Sequence, residues 1–225
     1  MHVRRRPRAV LLVAGLTTLG SLAAAPPGEP VATDACGTPD ASVPDPDRVP
    51  TPAGESVPAL DVCALHVDPT FDPQTGVLLE VAFTVTLAGD VAGRPDGTTY
   101  VVGWTGPQGE RTCYHVLVWE DRIDQFGGPT ARVGGSCATG RLFPDAYTFL
   151  DGALPLEAVT LDDETVTFTV ALDRADPVLR AALATGTTLE RPAALTYLTA
   201  RTWGWASATP LWDTTTTTRD VALTP

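Results

Sequence analysis

Val77-Leu78-Leu79-Glu80-Val81-Ala82-Phe83-Thr84-Val85-Thr86-Leu87 is the stretch that decides the fold. Val77, Leu79, Val81, Phe83, Val85 and Leu87 alternate with Leu78, Glu80, Ala82, Thr84 and Thr86, a period of two that marks a half-buried β-strand. Its apolar row is unfavourable in water until a second layer covers it. A matching row, Val166, Phe168, Val170 and Leu172, interleaved with Thr165, Thr167 and Thr169, supplies the expected partner across a sheet-on-sheet core.

Outward from these two rows, other short strands are expected. They are Leu60 to Val67, ending at Asp68-Pro69; Thr98 to Thr105 and Cys113 to Glu120, a hairpin around Gly106 to Gly109; Thr130 to Ala138; Leu154 to Leu161; Leu195 to Ala206; and Asp220 to Thr224. Asp162, Asp163 and Glu164 form a tight turn before Thr165. Asp176-Pro177 opens a single short helix, with Asp as N-cap, Val178, Leu179, Ala182 and Leu183 on one side and Gly186 beyond its end. The expected class is all-β: a two-sheet antiparallel β-sandwich of jelly-roll or immunoglobulin type with one short helix.

Three segments are expected. Residues 1–25 read as a secretory signal peptide: Arg4, Arg5, Arg6 and Arg8, then apolar Ala9 to Leu22, then small Ala23 to Ala25. The apolar run is short for a membrane span, so no span is expected after cleavage. Residues 26–58, rich in proline and acids, read as a linker, and residues 59–225 as the sandwich. Four cysteines in an exported chain imply two disulfides with three possible pairings, and neighbours in sequence are expected: Cys36 with Cys63 and Cys113 with Cys137. No pair has the spacing of a zinc knuckle.

Formal charge is −12, and all 15 basic residues are arginine. Four lie in the first eight residues, so the rest carries 11 Arg against 27 Asp and Glu, a balance of −16. Such a polyanion is repelled by nucleic acid and anionic lipid, which leaves neutral partners such as polysaccharide or another cell-surface component, or cationic ones. Asn is absent, which excludes N-linked glycosylation.

In the expected strand Leu195 to Ala206, Tyr197, Arg201, Trp203 and Trp205 share one face with Thr199. Aromatic planes stack on sugar rings and a guanidinium bonds hydroxyls, so Tyr197, Arg201, Trp203 and Trp205 are the candidate ligand platform, with Trp212 as an extension. The competing reading packs the tryptophans in the core with Arg201 reaching to the edge. His66 and His115 could join Asp61, Asp68 or Asp121 in a metal site only if their strands are adjacent. Asp68, Asp72 and Gly76, and the Asp162 to Glu164 turn, have a faint look of a calcium loop without matching one. Gly134-Gly135-Ser136-Cys137-Ala138 approximates a nucleophile elbow, which needs a strand, a sharp turn and a helix; no helix is expected after it. No cofactor is expected, with calcium the one cation left open.

Pro58 to Val62, Val77 to Leu87 and Tyr100-Val101-Val102-Gly103-Trp104 together resemble the opening half of secreted bacterial β-sandwiches related to DOMON and family 9 carbohydrate-binding modules. The resemblance covers about a third of the chain and implies sugar or haem binding. It carries over no binding residue, and the sole methionine is Met1. The expectation is a secreted, non-catalytic ligand-binding domain, carbohydrate being the ligand its aromatic row suits. The alternatives are an exported structural or interaction domain and, last, an extracellular hydrolase.

Overall fold

Ala32–Thr33 (β1), Val62–Phe71 (β2), Leu78–Leu87 (β3), Thr98–Gln108 (β4), Arg111–Glu120 (β5), Thr130–Ala138 (β6), Tyr147–Ala153 (β7), Val159–Asp162 (β8) and Thr165–Ala171 (β9) precede the helix Pro177–Ala182 (α1). Thr188–Leu198 (β10), Arg201–Thr202 (β11), Trp205–Ala206 (β12), Leu211–Thr214 (β13), Thr217–Thr218 (β14) and Val221–Ala222 (β15) follow it. The structure, a computed structural model, describes residues 29–34, 36, 57–109, 111–121, 128–138, 147–198, 201–202, 205–206, 211–215 and 217–225. The expected signal peptide lies outside the described residues. Among the described residues no helix is long and apolar enough to cross a membrane.

Two antiparallel sheets carry the architecture. One runs β14-β1-β2-β3-β9-β8; the other runs β13-β10-β4-β5-β6-β7, with β15 also on β10. The all-β sandwich is therefore what forms, but its two deciding rows do not face each other. Phe83 pairs with Phe168, Val81 with Val170 and Val85 with Val166, so β3 and β9 are side by side in one sheet. Alternation specifies which face of a strand is buried, not which layer the partner occupies. The covering layer is the second sheet, whose inward residues include Tyr100, Val102, Trp104, Leu117, Trp119 and Val133. Across the gap Phe83 stacks on Trp104 at 5.2 Å.

The start of β3 departs from the expected alternation. Phe71 pairs with Leu78 but Thr70 with Glu80, leaving Leu79 as an extra residue. This bulge turns Leu78 into the core and leaves Val77 and Leu79 exposed. Strand β2 also runs through Asp68-Pro69 to Phe71 instead of stopping there. Strand β1 covers it only at Ala64 and Leu65, so at Pro69 the missing N–H leaves no ladder bond unmade on that side.

Part of the expected linker belongs to the sandwich. Ala32 pairs with both Leu65 and Thr218, and Val31 and Ala32 are buried. Within the expected Leu154 to Leu161 strand, Leu156–Ala158 is a 3-10 turn and only Val159–Asp162 is strand. The helix forms as expected: Asp176 Oδ1 accepts the Val178 N–H at 2.9 Å, Pro177 opens the first turn, and Leu179, Ala182 and Leu183 are buried.

Both expected disulfides are present, Cys36–Cys63 and Cys113–Cys137. The second joins residues directly opposite on β5 and β6. Two disulfides fit an oxidising compartment. Replacing Cys113 and Cys137 together by Ala should lower unfolding free energy by about 3 kcal/mol in the chain-entropy model. Urea unfolding of the purified variant against wild type measures this.

Candidate functional site

The register places one grid of side chains on the outward face of the larger sheet. Reading across β10, β4, β5 and β6, Tyr197, Thr99, Glu120 and Thr130 form one row. Leu195, Val101, Val118 and Arg132 form the next, then Ala193, Gly103, Val116 and Gly134, and finally Thr105, Tyr114 and Ser136 on β4, β5 and β6. Same-face rows are about 6.7 Å apart along a strand and strands about 4.8 Å apart. Tyr197 and Tyr114 thus stand at opposite ends of a floor made of Leu195, Val101, Ala193, Gly103 and Val116.

Gly103 shapes this floor. A Cβ there would collide with the Tyr114 hydroxyl and lie 2.7 Å from its Cζ. The Tyr114 ring therefore reaches across β4 in the space a side chain would take, directed along the floor. It remains 42% exposed. Burial raises its phenol pKa, and the nearby Tyr197 hydroxyl raises it further. The Tyr197 phenol is also raised by burial. Both phenols keep their protons at neutral pH and offer O–H donors as well as flat faces. At the far end Glu120 is buried and its Oε1 accepts from Arg132 Nη2 at 3.2 Å. Val101 and Val118 are buried too, so the face is open around Tyr114 and closed toward Glu120.

Of the expected platform, Tyr197 lies on this face. The single strand from Leu195 to Ala206 does not form. Strand β10 ends at Leu198, which pairs with Thr98, the first residue of β4. Further along, the chain pairs with itself: Arg201 opposite Ala206, Thr202 opposite Trp205. Arg201 and Trp205 therefore sit on two short strands, not in one row with Tyr197. Trp203 lies outside the described residues. Tyr114, Gly103 and the Glu120–Arg132 pair were not anticipated. Strand β5 is apolar on both faces, Cys113, His115, Leu117 and Trp119 on one and Tyr114, Val116 and Val118 on the other, so alternation could not assign the outward face.

The other candidates separate. His66 lies on β2, on the outward side between buried Leu65 and Val67; His115 is fully buried on the inward side of the other sheet. The two histidines are not brought together. Asp72 Oδ1 accepts the N–H groups of Gln74 and Thr75, a turn-closing role. Ser136 stands within β6, opposite Tyr114, with Cys137 in its disulfide, so it does not sit at the sharp turn a nucleophile elbow needs. Among the described residues no group of three or more His, Cys, Asp or Glu is placed to hold a metal ion. Comparison with known proteins finds no matching family model, no matching curated protein and no matching solved structure.

His115 and Asp213 are both sealed inside. His115 stacks on Trp104 at 5.5 Å, with the backbone of Gly106 and Pro107 beside its ring. Burial lowers its pKa, partly offset by the backbone at Gly106 and Pro107. Asp213 accepts the Val62 N–H. Burial pushes its pKa up to about 6, against the lowering effect of the Val62 and Thr214 amides and helped by Asp34 and Asp61.

These shifts have opposite consequences. A lowered His115 means the unfolded chain binds a proton more readily, so stability present above pH 6.5 is lost on acidification below it. A raised Asp213 means the folded chain binds the proton more readily, so its ionisation cost is present above about 6 and relieved by pH 3.8. Asp213→Asn should therefore raise the Tm at pH 7.5, with the gap to wild type closing by pH 4. His115→Phe should remove part of the fall below pH 6.5. Thermal melts from pH 4 to 8 read both.

Proposed function

We propose that the protein is an exported, non-catalytic binding domain that holds a carbohydrate, as polysaccharide or cell-surface glycan, on the outward face of its larger sheet. The observation that carries this reading is the Tyr114 ring laid over Gly103 and directed along an apolar floor toward Tyr197. Two amphipathic rings at the ends of a floor of Gly, Ala, Val and Leu offer stacking planes with O–H donors beside them, which suits a ring that is apolar on its faces and hydroxylated at its edge. Arg201, Trp203 and Trp205 follow Tyr197 closely in the chain. The acidic balance suits a neutral ligand. The resemblance to family 9 carbohydrate-binding modules points the same way. Export is supported by the two disulfides and by the basic, apolar, small-residue order of residues 1–25.

The second reading, an interaction domain without a small ligand, draws on the burial of Val101, Val118 and Glu120 on the same face. Calorimetric titration with soluble glycans separates the two. In the first reading Tyr114→Ala and Tyr197→Ala each weaken binding about tenfold, a loss of about 1.4 kcal/mol, with Tm unchanged. Gly103→Val should abolish binding by displacing the Tyr114 ring. A panel of glycans that gives no heat with wild type, or equal affinity in all three variants, would discard the carbohydrate reading.

A further inference from the structure

The outward face of the six-stranded sheet has a different chemistry. In β3, Ala82, Thr84 and Thr86 point outward between buried Val81, Phe83, Val85 and Leu87; in β9, Thr165, Thr167 and Thr169 do so between Val166, Phe168 and Val170. The register aligns them: Thr86 opposite Thr165, Thr84 opposite Thr167, Ala82 opposite Thr169, with Thr160 of β8 opposite Thr167 on its other side. Six threonines thus occupy a grid of about 4.8 Å across strands and about 6.7 Å along them. Thr84 Oγ1 and Thr167 Oγ1 are 3.2 Å apart and hydrogen-bonded. The grid holds no charge, in a chain whose balance is strongly acidic; Glu80, Asp162, Asp68 and His66 stand only around it.

From this lattice the geometry points to a second surface, one that adsorbs to ice. Each threonine presents a methyl and a hydroxyl, and its β-branched side chain is stiff at χ1, so the two groups repeat with the backbone. A repeating hydroxyl and methyl array meets a partner that repeats as well, and the ordered oxygen lattice of an ice face is such a partner. Little ordering entropy is lost on contact because the array is already held by the sheet. Other occupants fit less well. The grid covers about 200 Å² by strand spacing and rise, whereas a stable protein partner covers about 800 Å² per side. No Trp, Tyr or Phe points outward within it, so it lacks the stacking plane a sugar chain uses. The twist of a sheet limits such a lattice to two or three adjacent strands, and this one occupies β3 and β9 with Thr160 on the edge strand β8. The inference is independent of the glycan reading.

The test uses the full mature chain. The fraction of protein taken into a slowly grown ice hemisphere is measured for wild type, Thr167→Lys and Tyr114→Ala, with Tm as the control for folding. Uptake by wild type and by Tyr114→Ala, lost in Thr167→Lys to the level of an unrelated acidic protein, supports the assignment. Should Thr167→Lys fail to fold, Thr84→Lys serves in its place. Exclusion of wild type from ice overturns the inference, as does undiminished uptake by the folded lysine variant. Adsorption to microcrystalline cellulose that is lost in the lysine variant, without ice uptake, also overturns it and makes the face a glycan surface.

Discussion

Phe83 on Trp104 is the contact through which the two sheets become one core. Phe83 stands in the middle of the row that β3 shares with β9, and Trp104 on the strand that β10 and β5 flank. Their rings stack at 5.2 Å with an interplanar angle of 15°. Stacked aromatic pairs contribute about 0.5–1.5 kcal/mol beyond the area they bury. The larger effect is geometric: with these rings in register, Val81, Val85, Val166 and Val170 meet Tyr100, Val102, Leu117 and Val133, and a one-residue slip in either strand would turn a whole row to solvent. The outward faces are then set as well, because every outward residue is the neighbour of an inward one.

How much of this was legible follows from what each residue type signals. The alternation of β3 and the threonine-spaced row of β9 identify two strands with one buried face, and Asp176-Pro177 with Gly186 identifies the helix, because these signals are local. The partner layer is not local. Rows of equal apolarity fit side by side or face to face, and only the pairing of Phe83 with Phe168 distinguishes the two. The bulge at Leu79 was hidden for a related reason: both Leu78 and Leu79 are apolar, so the shift in phase leaves no mark in the pattern. The two-residue strand β1 is equally silent. Ala32 and Thr33 have no periodicity to show, and their place between β14 and β2 comes from backbone bonds.

The candidate site was legible only at Tyr197. Its aromatic neighbours in sequence suggested a longer strand, whereas Arg201 and Thr202 pair with Ala206 and Trp205. Tyr114 was masked by β5 being apolar on both faces. Gly103 gives its reason only in three dimensions, since its missing side chain is the space the Tyr114 ring fills.

The buried polar groups explain why the sandwich is not simply an oily interior with a wet rim. Asp213 reaches the Val62 amide across a sequence separation of 151 residues, Thr196 donates to the Leu60 carbonyl at 2.6 Å, and the Tyr100 hydroxyl to that of Ala59 at 2.9 Å. All three bonds run from the larger sheet to the 3-10 turn Pro58–Leu60 or to the start of β2. They tie the entry to the first sheet onto the second through buried backbone groups, and a buried amide or carbonyl left unpaired costs about 1–3 kcal/mol. An ionised carboxylate in that position is unfavourable in itself, and a neutral one accepts the same bond. The raised pKa of Asp213 is the result of this conflict between a required acceptor and an unwelcome charge, and it places the protonation of the clasp within reach of mildly acidic surroundings.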